Sequence, residues 1–145
     1  MAGSKLIQHC YNRLVTTNTS QTILVTGVFD ILHQEHLAFL KKAKALGGKL
    51  LVGVETDERV RELKGEGRPV HTATERVAQL TQLGIADEVV VLPQRFHTEA
   101  ERLEWLKVIR PTILAVSSHT PHLAAKRRVM KQVGGEVKIV HALNP

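Results

Sequence analysis

Cysteine occurs once, as Cys10, which excludes an intramolecular disulfide framework and makes a reducing compartment the natural setting. Aromatic residues are few: Tyr11, Phe29, Phe39, Phe96 and Trp105 lie far apart in the chain and form no cluster for stacking single-stranded bases. No apolar run approaches the roughly 18 residues of a membrane span. The stretch from Met1 to Ser20 lacks an apolar segment with a small-residue cleavage site, so a secretory leader is not expected. Internal repeats and low-complexity tracts are absent too. The expectation is a cytoplasmic protein without a membrane segment.

What is present suits one domain. The chain has 145 residues, 43% of them apolar. A fold of that length hides roughly 68–70% of its unfolded surface and needs no covalent staple. Lys and Arg total 20 against 14 Asp and Glu, a formal charge of +6. Such a surplus favours anionic partners. The charge is spread along the chain and not gathered into an arm, which places small phosphorylated ligands ahead of nucleic acid.

Residues 1–21 read as an N-terminal extension, with a short amphipathic helix from Lys5 to Val15 and a polar linker from Thr16 to Ser20. From residue 22 to 145 strand and helix patterns alternate. Thr22 to Gly27, Leu50 to Val54, Glu88 to Pro93, Thr112 to Val116 and Val137 to Val140 are apolar, β-branched runs. Between them lie helical patterns closed by Gly47-Gly48, Gly84 and Gly134-Gly135. Continuous apolar strands are covered on both faces, which means a parallel sheet wound with helices. In such a sheet ligands bind outside the carboxyl ends of the strands. The residues to inspect follow Val25, Val54, Val91 and Val116.

The run after Val25 is Thr26-Gly-Val-Phe-Asp-Ile-Leu-His-Gln-Glu-His. Gly27 permits a tight turn or close ligand approach. His33 and His36, three apart at a helix start, can point the same way beside an anion-binding helix terminus. Ordinary capping or surface histidines are an equally good reading of these residues alone. A metal site is weaker, because the spacing is not i, i+4 and no third ligand is evident.

Taken whole, the segment resembles the cytidylyltransferase-like nucleotidyltransferases, whose hallmark is Gly-x-Phe-Asp-x-x-His-x-Gly-His. Gly27, Phe29, Asp30, His33 and His36 match in register. The likeness continues through Ala43-Lys44, Leu51-Val-Gly-Val-Glu-Thr-Asp-Glu, Lys64-Gly-Glu-Gly-Arg-Pro-Val, Glu75-Arg76, Ala86-Asp-Glu-Val-Val and Ile109-Arg-Pro. It covers roughly Thr22 to Val140 and is most similar to the sugar-phosphate branch, the heptose-1-phosphate adenylyltransferase and glycerol-3-phosphate cytidylyltransferase domains.

That resemblance implies a Rossmann-like α/β sandwich with a five-stranded parallel sheet in the order 3-2-1-4-5. It implies transfer of a nucleoside monophosphate from ATP or CTP to a sugar or polyol phosphate, with Mg²⁺ on the phosphates, no protein metal site, and a homodimer. His33, His36 and Lys44 would serve catalysis. Thr26, Gly27, Val28, Phe29, Asp30, Lys64 and Arg68 would join the histidines around the nucleotide. Arg76 would anchor a loop or hold the acceptor's phosphate, with Ser117 and Ser118 on the substrate rim. Ser118 or Thr120 would cap the next helix.

Two departures from the family pattern predict impaired turnover. Glu35 stands where the family has glycine, and its carboxylate would obstruct the phosphates unless it turned to solvent or paired with a cation. The family's Ser/Thr-rich turn beyond the fifth strand is not found before Pro145. The second reading is therefore a nucleotide- or phosphate-binding module of the same fold without efficient catalysis.

Overall fold

The computed structural model describes residues 21–141; the helix expected at Lys5 to Val15 lies outside them. Ten elements alternate: β1 (Thr22–Gly27), α1 (Gln34–Lys44), β2 (Lys49–Val54), α2 (Asp57–Lys64), α3 (Ala73–Gln82), β3 (Glu88–Val91), α4 (Glu99–Ile109), β4 (Ile113–Ser117), α5 (Leu123–Gln132) and β5 (Glu136–His141). The five strands form one sheet in the order β3-β2-β1-β4-β5, and every pairing is parallel. This is the expected Rossmann-like order.

Strand period decides the layers. Leu24, Leu51, Leu114 and Val116 face one way and meet Trp105, Leu106 and Ile109 of α4 with Val129 and Met130 of α5. Their neighbours Ile23, Val25, Leu50, Val52 and Ile113 face the other way, against Leu40 and Ala43 of α1 and Leu80 of α3. The inner strands β1, β2 and β4 therefore bury both faces, which is why their sequences are apolar without alternation; the edge strand β5 is largely exposed, so the expected two-sided cover does not extend to it.

Helix ends carry their own signals. Thr72 and Thr98 open α3 and α4 with capping boxes closed by Glu75 and Glu101. At α5 the expectation fails. His122 occupies the N-cap with a left-handed backbone (φ 56°) and no side-chain cap, while the Thr120 hydroxyl accepts a hydrogen bond from Lys126 Nζ instead.

One detail of register positions the site. β1 pairs with β2 along its whole length, from Thr22–Lys49 to Gly27–Val54. Against β4 it pairs only at Ile23–Ile113 and Leu24–Leu114. Beyond these the two strands part, at the place where the connections change from one face of the sheet to the other. A crevice opens there at their carboxyl ends.

Candidate active site

The loop leaving β1 is built around two buried charges. Asp30, 3% exposed, accepts hydrogen bonds at Oδ2 from Arg68 Nε (2.9 Å) and the Val70 amide (2.8 Å), and at Oδ1 from the His71 amide (2.8 Å). Burial pushes this carboxyl up, but the Val70, His71 and Arg68 donors outweigh it and hold it below its ordinary range. Arg76, fully buried on α3, donates to the carbonyls of Val28 (2.9 Å), Glu55 (2.8 Å) and His71 (3.1 Å) and to Asp57 Oδ1 (2.8 Å). It ties together the loops after β1, after β2 and before α3. The acceptor-phosphate role set out above is thereby corrected, because a guanidinium spent on three carbonyls and sealed from solvent holds the loops and no ligand.

Phe29 turns the chain with a left-handed backbone (φ 50°). Its ring lies so close to Gly27 that a Cβ there would stand 2.8 Å from Phe29 Cε2, so glycine is required by packing within the loop. The ring also tilts against His36, with centroids 5.4 Å apart.

The histidines both cap the helix and face the cavity. His33 is the N-cap of α1. Its Nδ1 accepts from the Glu35 amide (3.2 Å), and His36 Nδ1 accepts from the His33 amide (3.4 Å). The rings stack at 3.9 Å with an interplanar angle of 26°. With both Nδ1 atoms accepting, each neutral ring carries its proton on Nε2. Burial pulls the His36 pKa below its ordinary value, the neighbouring His33 adds to this, and a hydrogen bond with the Ile31 backbone opposes it. Capping and site geometry are thus one arrangement.

A cavity of about 740 Å³ occupies the crevice. Of the residues singled out from sequence, Thr26, Gly27, Val28, Phe29, His33, Glu35, His36, Lys64, Ser117 and Thr120 line it. Asp30 and Arg68 are not among the lining residues and form an ion pair with each other. The Ser118 amide bonds the His141 carbonyl (2.9 Å) and joins β4 to β5.

Lys44 is a correction. Its Nζ bonds Asp87 Oδ2 (2.6 Å) and the Gly48 carbonyl (3.0 Å), and the same Asp87 oxygen accepts from the Leu50 amide (2.8 Å). These groups precede β2 and β3, at the opposite end of the sheet. The reason is length: α1 advances 1.5 Å per residue and carries Lys44 roughly 16 Å from the N-cap.

Sequence reasoning missed Arg59 of α2, Arg102 of α4 and Lys126 of α5, which line the cavity together with Glu55. Glu55 directly follows β2, so the carboxyl-end rule reaches it. The helical cations have no such signal, since their direction depends on how α4 and α5 pack. Burial raises the Glu55 carboxyl, against the pull of Arg59 and Arg102. Burial lowers the Lys126 ammonium, and Arg102 adds to that, while Glu55 opposes it. The cavity thus gathers Arg59, Lys64, Arg102 and Lys126 with the two carboxylates Glu35 and Glu55.

Glu35 takes the paired course. Its Oε2 lies 2.5 Å from His141 Nε2, and His141 Nδ1 lies 2.9 Å from Lys42 Nζ. The hydrogen bond from His141 holds the Glu35 carboxyl below its ordinary range. Among the described residues no group of three or more His, Cys, Asp or Glu could hold a metal ion, and no helix is long and apolar enough to cross a membrane.

The family model described as cytidylyltransferase-like matches residues 24–144, which includes every element around this crevice. The chain belongs to the cytidylyltransferase-like family. It is 36% identical over 125 residues to the bifunctional protein HldE of Vibrio vulnificus, covering 83% of this chain and 25% of that protein. The chain therefore spans about a quarter of the length of the curated relatives it matches. Among solved structures, a lipopolysaccharide core biosynthesis protein from Thermoplasma volcanium superposes with a TM-score of 0.67 at 26% identity, over 86% of this chain and 96% of that one. Pantoate-beta-alanine ligase from Francisella tularensis also gives 0.67, at 11% identity over 96% of this chain and 66% of its own; that likeness concerns the fold alone.

Proposed function

We propose that this chain is a nucleotidyltransferase that moves a nucleoside monophosphate from ATP or CTP to a sugar or polyol phosphate. The observation that carries the reading is the stacked His33–His36 pair. Its Nδ1 atoms are spent on backbone amides, and both rings line the cationic cavity at the N-terminus of α1.

In the reaction a phosphate oxygen of the acceptor attacks the α-phosphorus in line. The new P–O bond forms as the bond to the bridging oxygen breaks, and pyrophosphate leaves with that electron pair. The protein's contribution is positioning and charge stabilisation. His33 and His36 donate to oxygens on which charge builds, the helix terminus adds its dipole, and Lys64, Arg59, Arg102 and Lys126 surround the anions. The residues present suit Mg²⁺ carried by the triphosphate and not by a protein cage, since the described residues offer no cluster of ligands for it. When bound, that ion supplies charge neutralisation on the phosphates.

The competing reading, a nucleotide- or phosphate-binding module of the same fold, rests on the two departures from the family pattern, at Glu35 and at the Ser/Thr-rich turn. Pyrophosphate release from ATP and CTP with Mg²⁺, against a panel of sugar and polyol phosphates, tests the proposal with calorimetry alongside. Turnover supports it. Nucleotide binding without turnover on any acceptor supports the module. The resemblance also makes a homodimer part of this reading, and sedimentation measures that independently.

A further inference from the structure

We propose that His141, at the end of β5, is the positioning residue that makes a carboxylate compatible with the phosphate end of the cavity, by holding Glu35 away from the helix terminus with Lys42 behind it. The inference rests on the nucleotide-binding reading above.

Glu35 sits in the first turn of α1, between the two histidines. A carboxylate in a first turn is attracted to the same unpaired amides and dipole that would receive a phosphate. Left free, it competes with the ligand for that terminus and repels it. Instead the side chain reaches His141, which is 7% exposed, with Oε2 at 2.5 Å from Nε2.

The direction of the bonds is forced. An ammonium can only donate and a carboxylate can only accept. Lys42 therefore donates to His141 Nδ1 (2.9 Å), and His141 Nε2–H donates to Glu35. The imidazole joins one cation to one anion, so the three side chains are neutral in sum.

The helix makes the geometry regular. Glu35, Phe39 and Lys42 are spaced i, i+4, i+7 and share one stripe of α1. His141 lies over that stripe, its ring tilted on Phe39 with centroids 6.5 Å apart. What glycine achieves by having no side chain, this chain achieves by tying the side chain to the fifth strand.

The test is a rescue. Dissociation constants for ATP, CTP and inorganic pyrophosphate, with Mg²⁺, are measured by calorimetry on the full chain and its variants. His141→Ala should weaken all three at least fivefold. Adding Glu35→Gln to His141→Ala should return them to within twofold of the unsubstituted protein, which a purely structural role for His141 would not allow. Lys42→Met, which leaves the His141 ring in place, should give a smaller loss of the same kind and serves if His141→Ala does not fold. His141→Asn, whose amide can donate to Glu35 and accept from Lys42, should retain affinity. Affinities within twofold in both His141→Ala and Lys42→Met, or no recovery in the double variant, overturn the inference alone. Failure of the unsubstituted chain to bind any of the three probes overturns it together with the nucleotide reading.

Discussion

At the carboxyl end of the sheet two charged residues are buried and bonded mainly to backbone; at the amino end a lysine and an aspartate lie at the surface, bonded to each other and to one backbone group apiece. Asp30 and Arg76 are 3% and 0% exposed and between them hold five backbone groups from three loops. Lys44 and Asp87 keep side-chain exposures of 41% and 38%. The first pair builds a wall, because buried charges become tolerable only when every donor and acceptor is matched. The second pair tidies a sheet edge, where water competes for both partners. Charge at one end shapes a cavity, while charge at the other contributes little beyond local order.

Four experiments break or sharpen this contrast. The largest effect belongs to Arg76→Met, which leaves three carbonyls and Asp57 without their donor. About 3–5 kcal/mol of stability should be lost in denaturant unfolding. A loss under 1 kcal/mol would show that the loops hold without it, and the comparison would break.

Next comes His33→Asn. Asparagine is a good N-cap, so unfolding should change by no more than about 0.5 kcal/mol. The Nε2 donor disappears, however, and pyrophosphate release should fall roughly 10²–10³-fold. Equal losses of stability and turnover would mean that His33 only caps.

Asp30→Asn should cost about 1.5–3 kcal/mol through weakened charge-assisted bonds. Here pH supplies an internal control. The folded pKa of Asp30 lies below its unfolded value, so its contribution is complete above about pH 4 and is lost as pH falls through the folded pKa. Melting curves between pH 6 and 3 should therefore drop less steeply for the variant than for the unsubstituted chain. Parallel slopes would remove Asp30 from the acid response.

The smallest effect is expected for Lys44→Ala. An exposed ion pair is worth about 0–1 kcal/mol, and affinity for ATP and CTP should stay within twofold. A tenfold fall in turnover would return Lys44 to the site and erase the distinction between the two ends.

Much of this was legible in the chain because it is local. The alternation of apolar runs with glycine-closed helices specified a parallel sheet, and the carboxyl-end rule led to Gly27, Phe29, His33 and His36. Misreadings arose where a role depends on distance through space. Lys44 shares a helix with the histidines but reaches the other end of the sheet, and Arg76 follows Glu75 in the first turns of its helix but points inward.

The sequence by itself determined the strand and helix periods and the histidine spacing, since each is settled within a few residues by backbone geometry and side-chain pattern. Tertiary structure alone decided that β1 and β4 part after Leu24 and Leu114, that Arg59, Arg102 and Lys126 converge on one cavity, and that Glu35 meets His141 across 106 positions of chain. Such contacts are set by how layers pack and where strands diverge, and no local propensity encodes the direction in which a packed helix presents its side chains.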